Sequence, residues 1–160
     1  MMNKKLVILG AGESGLGAAF LGKKIGYEVF ISDKNNIEFN TQKILDENKI
    51  QWESGQHSLS KIKTADFIIK SPGIPSDLPL ITSLKSEGKT VISEIEFAAK
   101  HTSATLIGIT GTNGKTTTTL LTYQILKDAG FNVGIAGNIG KSFALQVAQL
   151  HYDYYVLEIS

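Results

Sequence analysis

Residues 5–17 read Lys-Leu-Val-Ile-Leu-Gly-Ala-Gly-Glu-Ser-Gly-Leu-Gly, and this stretch decides the class of fold. The apolar run Lys5–Leu9 predicts a buried strand, and Ser14–Ile25 predicts a helix that ends at Gly26. A loop of the form Gly-x-Gly-x-x-Gly joins the two, an order that is typical of domains that bind nucleotides. The stretch therefore predicts a parallel α/β sheet with an anion site at the start of the first helix.

The alternation of short apolar strands and longer helices continues along the chain in two series. The sequence thus predicts an α/β protein: a Rossmann-like N-terminal parallel-sheet domain, residues 1–100, then a P-loop α/β domain, residues 101–160. The predicted strands are Lys5–Leu9, Glu28–Ser32, Phe67–Lys70 and Thr90–Ile92, then Leu106–Thr110, Asn132–Ala136 and Tyr154–Ile159. The second series is short of the ~5–6 strands usual in such sheets. We therefore expect an incomplete, truncated second domain with an unpaired sheet edge at Tyr154–Ile159.

The composition excludes several classes of protein. Hydrophobic residues make up 42% of the chain and the formal net charge is only +1, so neither nucleic acid nor a membrane surface is expected as a partner. The chain has no cysteine, which excludes disulfides and cysteine metal sites. No apolar run approaches the ~20 residues of a membrane span. These features predict a soluble, cytoplasmic protein.

Each glycine of the first loop is expected to have a different role. Gly10 permits the turn, Gly12 lets the backbone approach a diphosphate, and Gly15 allows close packing of helix on strand. Asp33 ends the second strand, 18 residues after Gly15, where an acidic group commonly binds a ribose or base. The motif alone does not separate NAD, FAD and a UDP-sugar. An NAD- or FAD-dependent oxidoreductase, or a turn without a ligand and an Asp33 that only caps a helix, thus stays open.

A second loop, Thr110–Thr116, lies between a predicted strand and helix and ends in Gly-Lys-Thr, the phosphate-binding end of a P-loop. Lys115 would neutralise phosphate charge, and the Thr116 hydroxyl would bind magnesium. The usual spacing requires glycine where this chain has Ile109, so the loop is shorter than normal. A polar turn with a solvated lysine is the alternative. Glu158 ends the last strand, where a second carboxylate for magnesium would lie.

The two loops together resemble the Mur ligases, whose shortened P-loop matches residues 111–117. Further segments are similar to those members that add D-glutamate: residues 10–17, 71–74, 93–96, 137–140 and 155–160. The resemblance implies ATP-dependent ligation of D-glutamate to UDP-N-acetylmuramoyl-L-alanine through an acyl phosphate, in peptidoglycan precursor synthesis. It implies ATP and Mg²⁺ as cofactors, and a further domain for D-glutamate beyond residue 160. We therefore expect this chain alone to be inactive as a ligase; another Mur-type ligase and a non-catalytic UDP-sugar-binding module stay open.

The resemblance also implies roles for individual residues. Lys115 and Glu158 would be catalytic, and Thr116 and Glu158 would hold the metal. The implied ATP-binding residues are Gly111, Thr112, Asn113, Gly114, Lys115, Thr116 and Thr117. The implied UDP-sugar-binding residues are Gly12, Glu13, Ser14, Gly15, Asp33, Lys34, Ser71, Gly73, Asn138 and Ser160. The three histidines, His57, His101 and His151, lie outside the matched motifs, and we predict that they are polar residues on the surface or at helix ends.

Overall fold

The computed structural model describes residues 4–159, which form two parallel sheets. The first sheet has five strands in the order β3-β2-β1-β4-β5. Its elements along the chain are β1 (Lys5–Leu9), α1 (Glu13–Lys24), β2 (Glu28–Asp33), α2 (Phe39–Glu47), β3 (Gln51–Ser54), α3 (Leu59–Ile62), β4 (Phe67–Lys70), α4 (Pro79–Ser86), β5 (Thr90–Ser93) and α5 (Glu94–Ala99).

The strand order places a topological switch next to β1. From β1 the chain builds outward to β2 and β3, then returns to β4 on the other side of β1. The loops that follow β1 and β4 therefore diverge at the carboxyl ends of these strands, where open α/β sheets bind ligands. Leu9 is paired with Ser32 on one side and Lys70 on the other, so all three strands end at the same level.

The second sheet has three strands in the order β6-β8-β7. Its elements are β6 (Thr105–Ile109), α6 (Lys115–Asp128), β7 (Val133–Gly137), α7 (Phe143–Gln149) and β8 (Tyr154–Glu158). The expectation of an unpaired edge at the last strand is wrong, because β8 is the central strand and pairs with both β6 and β7. This arrangement buries Tyr155, Val156 and Leu157 almost completely.

The predicted α/β class with parallel sheets is confirmed, but two elements, β3 and α3, were not predicted. β3 reads Gln-Trp-Glu-Ser and lies at the edge of the sheet, so it lacks the continuous apolar run that identifies buried strands. α3 has only four residues and no complete helical period. β3 ends directly before residues 55–58 and α3 begins directly after them, and this connecting segment contributes to the candidate site.

The two sheets share one hydrophobic core through α7. This helix follows β7 in sequence but packs on α1 and α5, and its Phe143 and Ala144 are fully buried. The Phe143 ring contacts Tyr155 of β8 edge to face, with centroids 4.8 Å apart. Gly17 of α1 allows this approach, because a Cβ there would lie 1.9 Å from the Ser142 hydroxyl. Across residues 4–159, no helix has both the length and the apolar character needed to cross a bilayer.

Candidate functional site

A cavity of about 500 Å³ lies at the carboxyl ends of β1, β2 and β4, and this size suits a small-molecule ligand. Its walls come from the glycine loop, the residues after β2, the loop after β3 and the Ser-Pro-Gly loop after β4. The lining residues are Gly10, Gly12, Glu13, Ser14, Asp33, Lys34, Asn35, His57, Ser71, Pro72, Gly73, Ile74, Pro75 and Leu78.

The glycine loop is held in a shape that only glycine permits at two places. Gly10 has φ +98°, and a Cβ there would lie 2.5 Å from the Ser71 hydroxyl. Gly15 lies beneath the loop, and a Cβ on it would lie 2.0 Å from the Gly10 carbonyl oxygen. Gly15 therefore supports the turn from below, whereas Gly12 and Ser14 line the cavity at the start of α1.

Asp33 connects the glycine loop to the turn after β2 through its two carboxylate oxygens. Oδ2 accepts a 2.7 Å hydrogen bond from the amide of Ala11, and Oδ1 accepts a 2.8 Å bond from the amide of Asn35. Each oxygen has a second lone pair that a ligand hydroxyl can use. Asp33 and Lys34 both line the cavity, so Asp33 orders the loop and both side chains are accessible to a ligand.

The Ser-Pro-Gly loop contributes an unsatisfied hydroxyl. The Ser71 Oγ is buried and has no hydrogen-bond partner among the described residues, although its residue lines the cavity. The Lys70 ammonium donates a 2.8 Å hydrogen bond to the Ile74 carbonyl and so fixes the curvature of this loop. A buried polar atom without a partner usually marks a ligand or an ordered water. Gly73 lines the same wall.

His57 is partly exposed just before α3 and also lines the cavity, a position that the sequence did not indicate. Its Nδ1 lies 2.7 Å from the hydroxyl of Ser32, which is fully buried at the end of β2. The same hydroxyl lies 2.8 Å from Oε1 of Glu53 in β3. No pattern in the sequence indicated this group, because β3 itself carried no strand signal.

The second loop forms a shallower pocket at the carboxyl ends of β6, β7 and β8. The Lys115 ammonium donates a 2.7 Å hydrogen bond to the Gly111 carbonyl, so the lysine reaches back over its own loop at the start of α6. All seven predicted ATP-binding residues except Gly111 line the pocket, together with two residues from the neighbouring strands. The lining residues are Thr112, Asn113, Gly114, Lys115, Thr116, Thr117, Asn138 and Glu158.

Glu158 stands beside the phosphate loop because the register of β8 places it there. It is paired with Ile109, which ends β6, and with Gly137, which ends β7. Its side chain is only 5% exposed, and its Oε2 is buried without a hydrogen-bond partner in the described chain. The Asn138 amide donates a 3.0 Å bond to the Glu158 carbonyl. Asn138, predicted to contact the UDP-sugar, therefore lies at the second pocket.

Ser142, the N-cap residue of α7, links the first cavity to α7 and α5. The Glu13 carboxylate, which belongs to the first cavity, accepts a 3.0 Å hydrogen bond from the Ser142 amide. Glu94 accepts 2.6 Å bonds from the Ser142 hydroxyl and the Ala144 amide. Burial raises the pKa of Glu94 despite these bonds. One oxygen of the Glu13 carboxylate is thus bonded to the start of α7. Ser160 lies outside the described residues.

Comparison with known proteins adds the family. Residues 4–93 match the family described as Mur ligase MurD-like, N-terminal domain, and residues 109–160 match the Mur ligase middle domain. The chain is 59% identical over 157 residues to the UDP-N-acetylmuramoylalanine–D-glutamate ligase of Bacteroides thetaiotaomicron, covering 98% of this chain and 35% of that protein. It is 47% identical to the ligase of the same name from Porphyromonas gingivalis, covering 97% of this chain and 34% of that protein. The chain thus spans about a third of the length of these curated relatives.

Solved structures agree on the fold. A pseudomurein peptide ligase type C from Methanothermus fervidus is 30% identical, with a TM-score of 0.59, and the match covers 99% of this chain and 33% of that one. A murein peptide ligase from Psychrobacter arcticus shares the fold, with a TM-score of 0.59. It is 23% identical, and the match covers 98% of this chain and 37% of that one.

Proposed function

Because this chain belongs to the Mur ligase family, we propose that it supplies the UDP-sugar site and the ATP site of a ligase that joins D-glutamate to UDP-N-acetylmuramoyl-L-alanine. Residues 1–100 would bind the UDP-sugar and residues 101–160 would form part of the ATP-binding domain. One observation carries the proposal: the chain has two phosphate-type loops, each lining a pocket at the carboxyl end of a parallel sheet, one at the start of α1 and one at the start of α6. This ATP-consuming step of peptidoglycan precursor synthesis implies a cytoplasmic location.

The first cavity would hold the nucleotide sugar with its diphosphate at the start of α1. The free amides at Gly12, Glu13 and Ser14 and the positive end of the helix dipole favour an anion there. Asp33 and Lys34 would contact the nucleoside, and the unsatisfied Ser71 hydroxyl with Gly73 would close the opposite wall. Gly15 would act by shaping the loop.

The second pocket would hold ATP and Mg²⁺. Backbone amides from Gly111 to Gly114 would surround the phosphates and the Lys115 ammonium would neutralise the transferred group. The donor set fits magnesium: Thr116 offers a hydroxyl, and Glu158 offers a buried carboxylate oxygen without a partner. Magnesium prefers such hard oxygens and is typically held by one or two carboxylates together with substrate phosphates. When bound, it would supply charge neutralisation at the phosphates.

The proposed reaction has two steps. The carboxylate of the L-alanyl substrate attacks the γ-phosphorus of ATP, which forms an acyl phosphate and releases ADP. The amine of D-glutamate then attacks the acyl carbon, the amide forms and phosphate leaves. The residues of this chain would contribute positioning and charge neutralisation, since phosphoryl transfer needs little else from the protein. An NAD- or FAD-dependent oxidoreductase, which the first loop alone allows, has no use for the second loop.

Calorimetric titration of the purified protein would test the first half of the proposal. We expect saturable binding of UDP-N-acetylmuramoyl-L-alanine, no binding of NADH, and weaker UDP-sugar binding by Asp33→Ala. Asp128→Ala is the matched control, because Asp128 ends α6 on the exposed surface and bonds only Gln124 in the described chain. Binding of NADH without binding of the UDP-sugar would overturn the proposal.

A second titration, with ATP and magnesium, would test the other half. Lys115→Ala should weaken ATP binding, whereas Lys127→Ala, in the last turn of the same helix, should leave it unchanged. Equal effects of the two substitutions would contradict the proposed role of Lys115, because a general loss of positive charge would then explain both.

A further inference from the structure

The chain of contacts behind the first cavity fixes the protonation of His57. Glu53, Ser32 and His57 form two short contacts in series: Glu53 Oε1 to Ser32 Oγ at 2.8 Å, and Ser32 Oγ to His57 Nδ1 at 2.7 Å. The serine hydroxyl has one proton and can donate it in only one direction. A third contact, from Ser32 Oγ to the Gln56 carbonyl, is longer at 3.3 Å.

The charge of Glu53 settles the direction. Burial raises the pKa of Glu53, but hydrogen bonds from Ser58 and Ser32 and the nearby Lys61 outweigh it, so the pKa is lowered overall. An ionised carboxylate only accepts, so the Ser32 hydroxyl must donate to it. If His57 Nδ1 also lacked a proton, its lone pair would face that of Ser32 Oγ at 2.7 Å. Only an Nδ1–H makes both contacts hydrogen bonds.

The other ring nitrogen is then a bare acceptor. Burial lowers the pKa of His57, and Lys34 lowers it further, against Asp33 and Glu53, which raise it; the net shift is downward and the ring is neutral at pH 7. A neutral ring with its proton on Nδ1 carries a lone pair on Nε2. Since Nδ1 faces the buried Ser32, Nε2 lies on the far side of a ring that lines the cavity. No group within residues 4–159 hydrogen-bonds this atom.

We propose that His57 is a recognition residue for the nucleoside half of the ligand, whose Nε2 accepts a hydrogen bond from a nucleoside N–H or O–H while Ser32 and Glu53 hold the required tautomer. The position supports the nucleoside half, because His57 follows β3 and flanks Asp33 and Lys34, whereas the start of α1 lies on the other side of β2. The inference rests on the proposed UDP-sugar function of this cavity. Ser32 and Glu53 are positioning residues.

Two substitutions of His57 distinguish the contribution of Nδ1 from that of Nε2. His57→Asn places an amide near Nδ1 and retains a partner for Ser32, but it removes the acceptor at Nε2. His57→Gln places an amide oxygen near Nε2 and loses the contact with Ser32. With UDP as the probe, we expect His57→Asn to bind about three- to tenfold more weakly than the wild type, the effect of one lost hydrogen bond, and His57→Gln to retain more of the affinity. Equal affinity of wild type and His57→Asn would overturn the proposal.

Three analogues identify the donor. If the uracil N3–H is the donor, UDP methylated at N3 loses affinity for the wild type, and His57→Asn then adds no further loss. If a ribose hydroxyl is the donor, 2′-deoxy-UDP or 3′-deoxy-UDP shows this pattern instead. Additive losses with all three analogues would place His57 away from the ligand and overturn the proposal. A wild type that binds no UDP would contradict the proposed function itself, and with it this inference.

The tautomer and the pH profile provide readouts that a purely structural role would not move. Nitrogen-15 NMR should show His57 with a protonated Nδ1 and a bare Nε2, and Ser32→Ala should shift the ring toward the other tautomer. UDP affinity of the wild type should fall as the pH drops through the lowered pKa of His57, because Nε2 then becomes a donor. The phosphate titrates near pH 6 in every variant, so the difference from His57→Gln isolates the ring. A bare Nδ1 would overturn the assignment without reference to any ligand.

Discussion

The carboxylate of Glu94, at the start of α5, accepts a 2.6 Å hydrogen bond from the hydroxyl of Ser142, which lies 48 residues later and caps α7. The same oxygen, Oε1, accepts a 2.6 Å bond from the Ala144 amide. Ser142 in turn accepts a bond from the Leu145 amide in the first turn of α7. Glu94 therefore acts as a second cap for this helix, supplied from the other half of the protein, and it links the two sheets with a buried polar contact.

We predict that Glu94→Ala lowers the free energy of unfolding by about 1–3 kcal/mol, because the Ser142 hydroxyl and the Ala144 amide would lose a buried acceptor. Urea unfolding monitored by circular dichroism would measure the change. Glu96→Ala is the matched control on the same helix: within residues 4–159 its 52% exposed side chain pairs only with Lys100, so its loss should cost about 0.5 kcal/mol or less. Similar losses for the two variants would show that Glu94 contributes no more than a surface residue.

The raised pKa of Glu94 predicts a pH dependence of stability. The ordinary pKa of a glutamate, 4.5, applies to the unfolded chain. Burial is the largest cause of the shift, and it makes Glu94 bind its proton more tightly in the folded protein. Stability from this group is therefore fully present below that value and is lost as the pH rises through the folded pKa. Glu94→Gln keeps an acceptor oxygen but does not titrate. The wild type should thus lose stability relative to Glu94→Gln as the pH rises from 4 to 7; a constant difference would contradict the shift.

The sequence predicted those features that depend on local pattern. The loop at residues 10–15 and the apolar strands β1 and β4 were found because glycine spacing and apolar runs reflect backbone requirements directly. The edge strand β3 was missed because its buried residue, Glu53, is polar, so the strand has no apolar run. The positions of Glu94 and His57 could not be predicted, since each depends on partners more than 20 residues away that only the folded chain brings close. The central place of β8 depends likewise on the order of strands, which periodicity does not encode.

Gly137 supports the second pocket, and we predict that Gly137→Ala destabilises it. This glycine ends β7 with φ +103°, and a Cβ would lie 2.1 Å from the Glu158 carbonyl oxygen. Gly130→Ala is the control: its φ of +84° is also positive, but no atom lies within 4 Å of an added Cβ. The control should cost about 1–2 kcal/mol from backbone strain alone. Gly137→Ala should cost more and should also weaken ATP binding, as thermal unfolding and calorimetry would show; equal costs would contradict the contact with Glu158.

Glu158 gives a prediction in which stability and binding change in opposite senses. Its Oε2 is buried without a hydrogen-bond partner in residues 4–159, so the folded protein bears the cost of a poorly solvated charge. Glu158→Gln removes that charge and keeps the shape, so the free energy of unfolding should stay the same or rise. If the oxygen is a magnesium ligand, the same variant should bind ATP with magnesium at least about tenfold more weakly, and added magnesium should no longer strengthen ATP binding.

The control for Glu158 is Glu47→Gln, because Glu47 is 61% exposed at the end of α2 and contacts only Lys43 in the described chain. It should alter neither quantity. Calorimetric titration of ATP at several magnesium concentrations, together with urea unfolding of each variant, would measure both effects. A purely structural Glu158 would show the reverse pattern, lost stability with magnesium dependence intact, since substitution would then disturb the junction of β6, β7 and β8 and leave the metal site unchanged. A buried carboxylate oxygen without a hydrogen-bond partner in the described chain is better explained by a ligand that it coordinates than by a contribution to folding.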